Sequence, residues 1–89
     1  MAFHVFDGND WYECGTMHGA EMIAEDAIED AAAVFEASGI WPNWIDTIQV
    51  YEAPQDDPEP WEGKLRAFTQ EKRFLSGDLP YTYYDLDYV

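Results

Sequence analysis

The sequence predicts an α+β fold: a small antiparallel sheet, built from an N-terminal hairpin plus later strands, packed against one long acidic helix. Three observations lead to this prediction. Residues 2–14 have the pattern of a β-hairpin, residues 20–35 repeat apolar side chains at helical spacing, and strand-like segments follow. A chain of 89 residues has room for a single domain, which we expect to cover residues 1–89.

The hairpin is predicted by the turn Asp7-Gly8-Asn9-Asp10, because Gly and Asn tolerate the positive φ of tight hairpin turns. Four residue pairs then face each other across it: Phe6–Trp11, Val5–Tyr12, His4–Glu13 and Phe3–Cys14. Side chains alternate between the two faces of a strand. One face is therefore expected in the core: Phe3, Val5, Tyr12 and Cys14. The other is mixed and expected to be half exposed: His4, Phe6, Trp11 and Glu13.

The long helix is predicted to begin at an N-cap, Thr16, and to end at Gly39. Between them, apolar residues recur at steps of three and four, which places them on one buried stripe. The stripe is expected to comprise Ala20, Ile23, Ala24, Ala27, Ala31, Val34 and Phe35. The carboxylates of the segment fall on the other side.

The remaining chain alternates between loops and strand-like segments. Residues 40–44 hold two tryptophans and are expected to fold back onto the sheet, and residues 47–52 alternate like a strand. Residues 53–60 contain three prolines and should form a loop. Residues 61–75 fit a helix ended by glycine as well as a strand; we favour a strand, because the other strands need pairing partners. Residues 81–89 can form a last strand.

The charge balance is extreme, with four basic against nineteen acidic residues and a net charge of −15. Apolar residues make up 47% and aromatic residues 17%, so the chain is expected to fold, unlike a disordered acidic tail. Such a charge disfavours nucleic acid and anionic membranes as direct partners and favours a basic macromolecule or a cation. With one cysteine, no signal-peptide pattern and no apolar run of about 18 residues, a cytoplasmic location is expected.

The segment 20–39 is the first candidate site, since it carries six carboxylates and neither Lys nor Arg. They are Glu21, Glu25, Asp26, Glu29, Asp30 and Glu36. Surface helices commonly pair opposite charges three or four residues apart, which gains about 0.2–0.5 kcal/mol per pair. Here two files of carboxylates instead present one charge per turn of about 5.4 Å, a spacing broadly similar to that of successive phosphates. A solvated helix face remains the simpler interpretation.

A second acidic cluster follows in the proline-rich loop and comprises Asp56, Asp57, Glu59 and Glu62. The prolines hold this segment extended, so its carboxylates remain available to a partner. A mobile polar loop without a partner explains the pattern equally well. If the loop lies beside the helix, the two clusters together make one strip of about ten negative charges.

All four basic residues lie close together in the sequence: Lys64, Arg66, Lys72 and Arg73. We expect them to anchor the neighbouring acidic segments or to pair with Asp85 and Asp87 of the C-terminal segment. In either case the remaining surface is left purely negative.

Motifs for catalysis or metal binding are weak. Cys14, His18 and His4 supply three possible zinc ligands, but no CxxC or HExxH pattern supports them. The turn at residues 7–10 resembles the start of a calcium loop without its DxDxDG order or its downstream Glu. GxSxG, P-loop and GxGxxG patterns are absent from the sequence. We therefore expect neither an enzyme nor a cofactor or metal.

Small size, an aromatic-rich body and an unrelieved acidic face resemble the DNA-mimic inhibitors of phages and mobile elements, such as anti-CRISPR and antirestriction proteins. The resemblance rests on charge and size over the whole chain, since these inhibitors share no common motif. It implies that the acidic face occupies the Lys/Arg-lined DNA groove of a Cas effector complex or related defence nuclease in the host cytoplasm. It also implies hot spots from aromatic residues: Trp11, Trp41, Trp44 and Trp61.

The acidity is also compatible with three alternative origins. A protein from a halophile carries such a surface whatever its function, and should unfold in dilute buffer. An acidic immunity protein or antitoxin would bind one basic toxin. A phage accessory protein would need the charge only for solubility.

Overall fold

The computed structural model describes residues 1–77 and 79–89 and contains one long helix and five strands. In chain order these are β1 (Ala2–Phe6), β2 (Trp11–Cys14), α1 (Met17–Ser38), β3 (Gln49–Ala53), β4 (Lys64–Ser76) and β5 (Leu79–Tyr88). Short 3-10 helices cover Ile45–Thr47 and Pro60–Glu62. The strands form one antiparallel sheet in the order β2-β1-β3-β4-β5, and α1 packs against one face of it. The predicted α+β class is confirmed.

All four residue pairs predicted for the N-terminal hairpin are confirmed. The turn is held by the Asp7 carboxylate, which accepts hydrogen bonds from the backbone N–H groups of Asn9 and Asp10 at 2.9 and 2.7 Å. The prediction of a buried Tyr12 is wrong, since its side chain is 43% exposed. The reason is that β2 is the outer strand of the sheet, where only Cys14 at its end packs against the core.

The helix begins and ends where its caps predict. The Thr16 hydroxyl accepts a hydrogen bond from the Gly19 N–H at 3.1 Å, and Gly39 takes a left-handed φ of 76°. Four alanines form the buried stripe: Ala20, Ala24, Ala27 and Ala31. Their small side chains let the helix lie close to the sheet, so the stripe is narrow. For this reason Val34, at its margin, is exposed, contrary to the prediction.

The pattern of residues 61–75 fits both a helix and a strand. The favoured strand is confirmed for most of this segment, since β4 begins at Lys64. The predicted C-terminal strand is also confirmed and begins earlier, at residue 79. Pairing between β4 and β5 runs from Ala67–Tyr88 to Ser76–Leu79, whereas β3 pairs with β4 only as far as Phe68. The outer part of this hairpin therefore extends past the sheet as a two-stranded ribbon, and the molecule measures 47 × 23 × 19 Å.

The core lies between α1 and the sheet and is completed by the segment that follows the helix. Val5, Ile48 and Val50 are its largest fully buried side chains. The predicted return of residues 40–44 onto the sheet is confirmed. Trp41 stacks on Phe35 of the helix with ring centroids 4.7 Å apart and meets the Tyr84 ring of β5 edge-on at 4.9 Å. The strand predicted for residues 47–52 begins two residues later, because residues 45–47 form a 3-10 turn.

Candidate protein-binding surface

The carboxylates of α1 lie on the side of the helix away from the buried alanines. Five of them are exposed and Glu21 is half-buried. The ion pairs that the described part of the chain forms involve other carboxylates, so none of the six is neutralised by Lys or Arg there. We call this set of six residues, Glu21, Glu25, Asp26, Glu29, Asp30 and Glu36, the acidic helix face. It is the largest group of uncompensated charge on the described surface.

Two further carboxylates border the acidic helix face, and the sequence alone did not identify them as part of it. Asp85 of β5 lines a cleft of about 210 Å³ together with Glu25 and Glu29. Asp7 of the hairpin turn lines a second cleft together with Asp30. In the sequence Asp7 is a turn residue and Asp85 a residue of the last strand. Only the packing of α1 across the sheet brings them to the helix.

Tyr88, near the end of β5, lies close enough to the acidic helix face for its carboxylates to change the pKa of the phenol. The pKa of its phenol is raised above the ordinary value, first by partial burial and then by the negative charges of Glu21 and Glu25. The phenol therefore stays neutral and protonated beside these carboxylates at physiological pH. It is a hydrogen-bond donor at the border of a surface that otherwise consists of acceptors.

The acidic loop, with Asp56, Asp57, Glu59 and Glu62, lies elsewhere. His4 Nε2 donates to the Pro54 carbonyl at 2.9 Å, and the Trp61 ring lies 5.8 Å from that of Trp11, centroid to centroid. Val5 packs against the helix, so His4 beside it in β1 points to the opposite face of the sheet. The loop is thus anchored on the face away from α1. The structure does not bring the two acidic clusters together into one strip.

Because of these contacts, the expectation that the outer face of the hairpin is half exposed is wrong for His4. His4 is only 4% exposed, because the loop following β3 covers it. No local pattern indicates this contact, since the two residues lie fifty positions apart in the chain.

Three of the four basic residues, Arg66, Lys72 and Arg73, form ion pairs within the sheet. Lys72 Nζ lies 2.8 Å from a carboxylate oxygen of Asp87, which confirms one of the predicted pairs, and this hydrogen bond is the main reason that the lysine pKa is raised. Arg66 donates to Glu52 at 2.6 Å. Arg73 lies 4.0 Å from Glu71 on an exposed part of the ribbon. These ion pairs thus lie on β3, β4 and β5 and involve none of the six carboxylates of the acidic helix face.

The four tryptophans divide between the two faces of the sheet. Trp11 and Trp61 are 37% and 50% exposed and lie together beside the acidic loop. Trp41 and Trp44 are half-buried under the helix, and Trp44 lines the cleft that Asp7 and Asp30 share. Each acidic cluster therefore has aromatic side chains next to it.

The possible zinc ligands Cys14 and His4 are not brought together, since Cys14 packs against the core while His4 points to the other face. Among residues 1–77 and 79–89 there is no group of three or more His, Cys, Asp or Glu side chains placed to hold a metal ion. In the same part of the chain, no helix combines the length and the apolar character needed to cross a membrane. Comparison with protein-family models, with curated proteins and with solved structures found no match.

Proposed function

We propose that this protein is an inhibitor that binds the basic DNA-binding surface of a CRISPR effector complex or related defence nuclease in the host cytoplasm, and keeps target DNA out. The observation that carries the proposal is the acidic helix face, six carboxylates that no Lys or Arg of the described chain neutralises. Asp7 and Asp85 extend this surface on either side of the helix.

The number of charges along the helix axis supports mimicry of a single strand. From Glu21 to Glu36 the helix rises about 22 Å, at about 1.5 Å per residue. One strand of B-DNA places about six or seven phosphates over that length, at about 3.4 Å per phosphate. The helix offers a similar number of negative charges. An Arg-lined groove that spaces its guanidinium groups for phosphates can therefore meet carboxylates instead, through charge-assisted hydrogen bonds.

Repulsion between the carboxylates of the free helix also favours a basic partner. Three like-charged pairs at i,i+4 spacing (21–25, 25–29 and 26–30) cost the isolated helix on the order of 1 kcal/mol together. A basic partner relieves this repulsion when it binds. Association should be fast and should weaken steeply as salt is added, because the long-range field steers the encounter.

Two matched variants test the proposal. The helix variant carries four changes to Lys, at Glu25, Asp26, Glu29 and Asp30. The loop variant carries four changes to Lys at Asp56, Asp57, Glu59 and Glu62. Both make the same change in net charge, but on opposite faces of the sheet. The tagged wild type and both variants are used to capture partners from host lysate at physiological salt, and bound protein is then eluted with double-stranded DNA.

We expect the wild type and the loop variant to retain a DNA-binding defence complex that DNA releases, and the helix variant to lose it while remaining folded. Retention by the helix variant would exclude the acidic helix face as the binding surface. Capture of one small basic protein that DNA does not release would favour the immunity-protein or antitoxin alternative. Unfolding of the wild type in dilute buffer, with recovery in molar KCl, would favour a halophilic surface.

A further inference from the structure

A cleft on the face of the sheet opposite α1 combines exposed aromatic rings with carboxylates. It has a volume of about 320 Å³. The residues that line it include two tryptophans and three acids: Trp11, Trp61, Glu13, Asp56 and Asp57. We call it the aromatic cleft. It is separate from the acidic helix face, and its chemistry is different, because indole rings and carboxylates line the same cleft.

The aromatic walls are held in place by packing. Trp11 lies against Phe6 and Tyr51, with ring centroids 5.2 and 6.1 Å away, and Trp61 closes on its other side at 5.8 Å. Trp61 belongs to the 3-10 helix that the buried Pro60 begins. Both indoles nevertheless keep a large exposed fraction, so their ring surfaces are available to a ligand.

The acidic walls are held by backbone contacts. The N–H of Asp56 donates to the Glu13 carboxylate at 2.6 Å, and the N–H of Glu59 donates to Asp57 at 3.0 Å. The first bond ties the loop to β2 and the second orders the loop internally, and both leave carboxylate oxygens free to accept further hydrogen bonds. A ligand that enters the cleft therefore meets walls that are already ordered.

These walls fit a cation with a flat surface. An indole face attracts a cation, and a guanidinium group stacks on it while its N–H groups donate to carboxylates in a fork. An anion would be repelled, and an uncharged apolar ligand would strip water from the acids without replacing their hydrogen bonds. An ammonium group is more strongly hydrated and cannot stack in this way.

We propose that the aromatic cleft binds the guanidinium group of an arginine side chain exposed on a partner protein. The net charge of −15 favours a basic partner, and the cleft supplies a single-residue site that recognises one of its side chains. The inference does not depend on the function proposed for the acidic helix face, because the two lie on opposite faces of the sheet. It is also tested without any partner protein.

The probe is N-acetyl-arginine amide, titrated into the folded protein while the indole N–H signals are followed by NMR. Saturable shifts are expected at Trp11 and Trp61 and not at Trp41, which is packed between Phe35 and Tyr84. N-acetyl-lysine amide should bind more weakly, and the uncharged N-acetyl-citrulline amide should not bind. Trp61→Leu should weaken arginine binding by about two- to fivefold, the effect of removing one exposed cation–π contact.

Two charge-matched variants keep the test decisive if Trp61→Leu disturbs the fold. Asp56→Asn/Asp57→Asn removes two carboxylates from the cleft, and Glu29→Gln/Asp30→Asn removes two from the helix. Only the first should weaken arginine binding by more than the general change in charge explains. Equal effects of both pairs, equal binding of citrulline, or shifts without saturation would each overturn the proposal.

Discussion

The carboxylate of Glu13, on the edge strand, accepts a hydrogen bond from the backbone N–H of Asp56 at 2.6 Å. An acidic residue of the sheet thus holds down an acidic loop, although the two carry charges of the same sign. The His4 ring, 3.8 Å from Glu13, lies at the same junction. Together with the contacts of His4 with Pro54 and of Trp11 with Trp61, this bond holds the loop on the face of the sheet opposite α1.

Glu13→Ala should therefore loosen the loop. It removes the acceptor for the Asp56 N–H and should lower the free energy of unfolding by about 0.5–1.5 kcal/mol. Amide exchange at Asp56 should become faster, whereas the Gly39 N–H, bonded to the Phe35 carbonyl at 2.7 Å in the helix cap, should be unaffected. Glu13→Gln, which keeps an acceptor oxygen, should lie between wild type and alanine. Unchanged exchange at Asp56 in the alanine variant would show that this bond does not order the loop.

Local sequence patterns predicted the elements whose determinants lie within a few residues of one another. The register of the first hairpin follows from the turn at residues 7–10, and the ends of α1 follow from Thr16 and Gly39. Local patterns also wrongly predicted that Tyr12 and Val34 are buried. Burial of these two side chains depends on where the sheet and the helix meet and not on their own periodicity.

The candidate surfaces were only partly predictable, since they depend on contacts between distant segments. The sequence identifies ten acidic side chains but does not show that the helix and the loop lie on opposite faces. The contact of His4 with Pro54 and that of Trp11 with Trp61 decide this. Likewise, Asp85 reaches the helix only because β5 pairs with β4 and becomes an edge of the sheet next to α1.

Gly8→Ala should be strongly destabilising. Gly8 has a φ of +100°, and a Cβ placed there would lie 2.5 Å from Cε3 of the Trp44 ring. The backbone strain and the forced shift of a packed indole together predict a loss of about 2–4 kcal/mol in the free energy of unfolding, measured in urea. Gly15→Ala is the matched control, since no atom beyond Gly15 and its two chain neighbours lies within 4 Å of its Cβ position, and it should change stability by less than about 0.5 kcal/mol. Equal effects of the two substitutions would contradict the close contact with Trp44.

Neutralising one carboxylate of the acidic helix face should stabilise the free protein. Glu25→Gln removes two like-charged i,i+4 pairs, with Glu21 and with Glu29, and should raise the free energy of unfolding by about 0.4–1 kcal/mol at low salt. The gain should shrink as salt screens the charges. Glu59→Gln makes the same change in net charge on the loop and should give a smaller gain. A gain that is equal at both positions would mean that overall charge, and not spacing along the helix, sets the repulsion.

Glu21→Gln should lower the pKa of the Tyr88 phenol, because it removes one of the negative charges that raise it. The pKa should remain above the ordinary value of 10, since burial is the larger cause and Glu25 is still present. Titration of the tyrosines by absorbance and NMR measures the shift. Tyr84 is the internal control: burial and the charges of Glu71 and Asp46 raise its pKa, and the substitution leaves these unchanged.

The same shift makes stability depend on alkaline pH. The folded protein holds the Tyr88 proton more tightly than the unfolded chain, so the contribution of this phenol to stability is fully present below pH 10. It is lost as the pH rises through the higher pKa of the folded state. Tyr88→Phe should therefore reduce the slope of unfolding free energy against pH above 10, and Glu21→Gln should move the loss to lower pH. An unaltered alkaline profile in both variants would mean that the charges of α1 do not act on this end of β5.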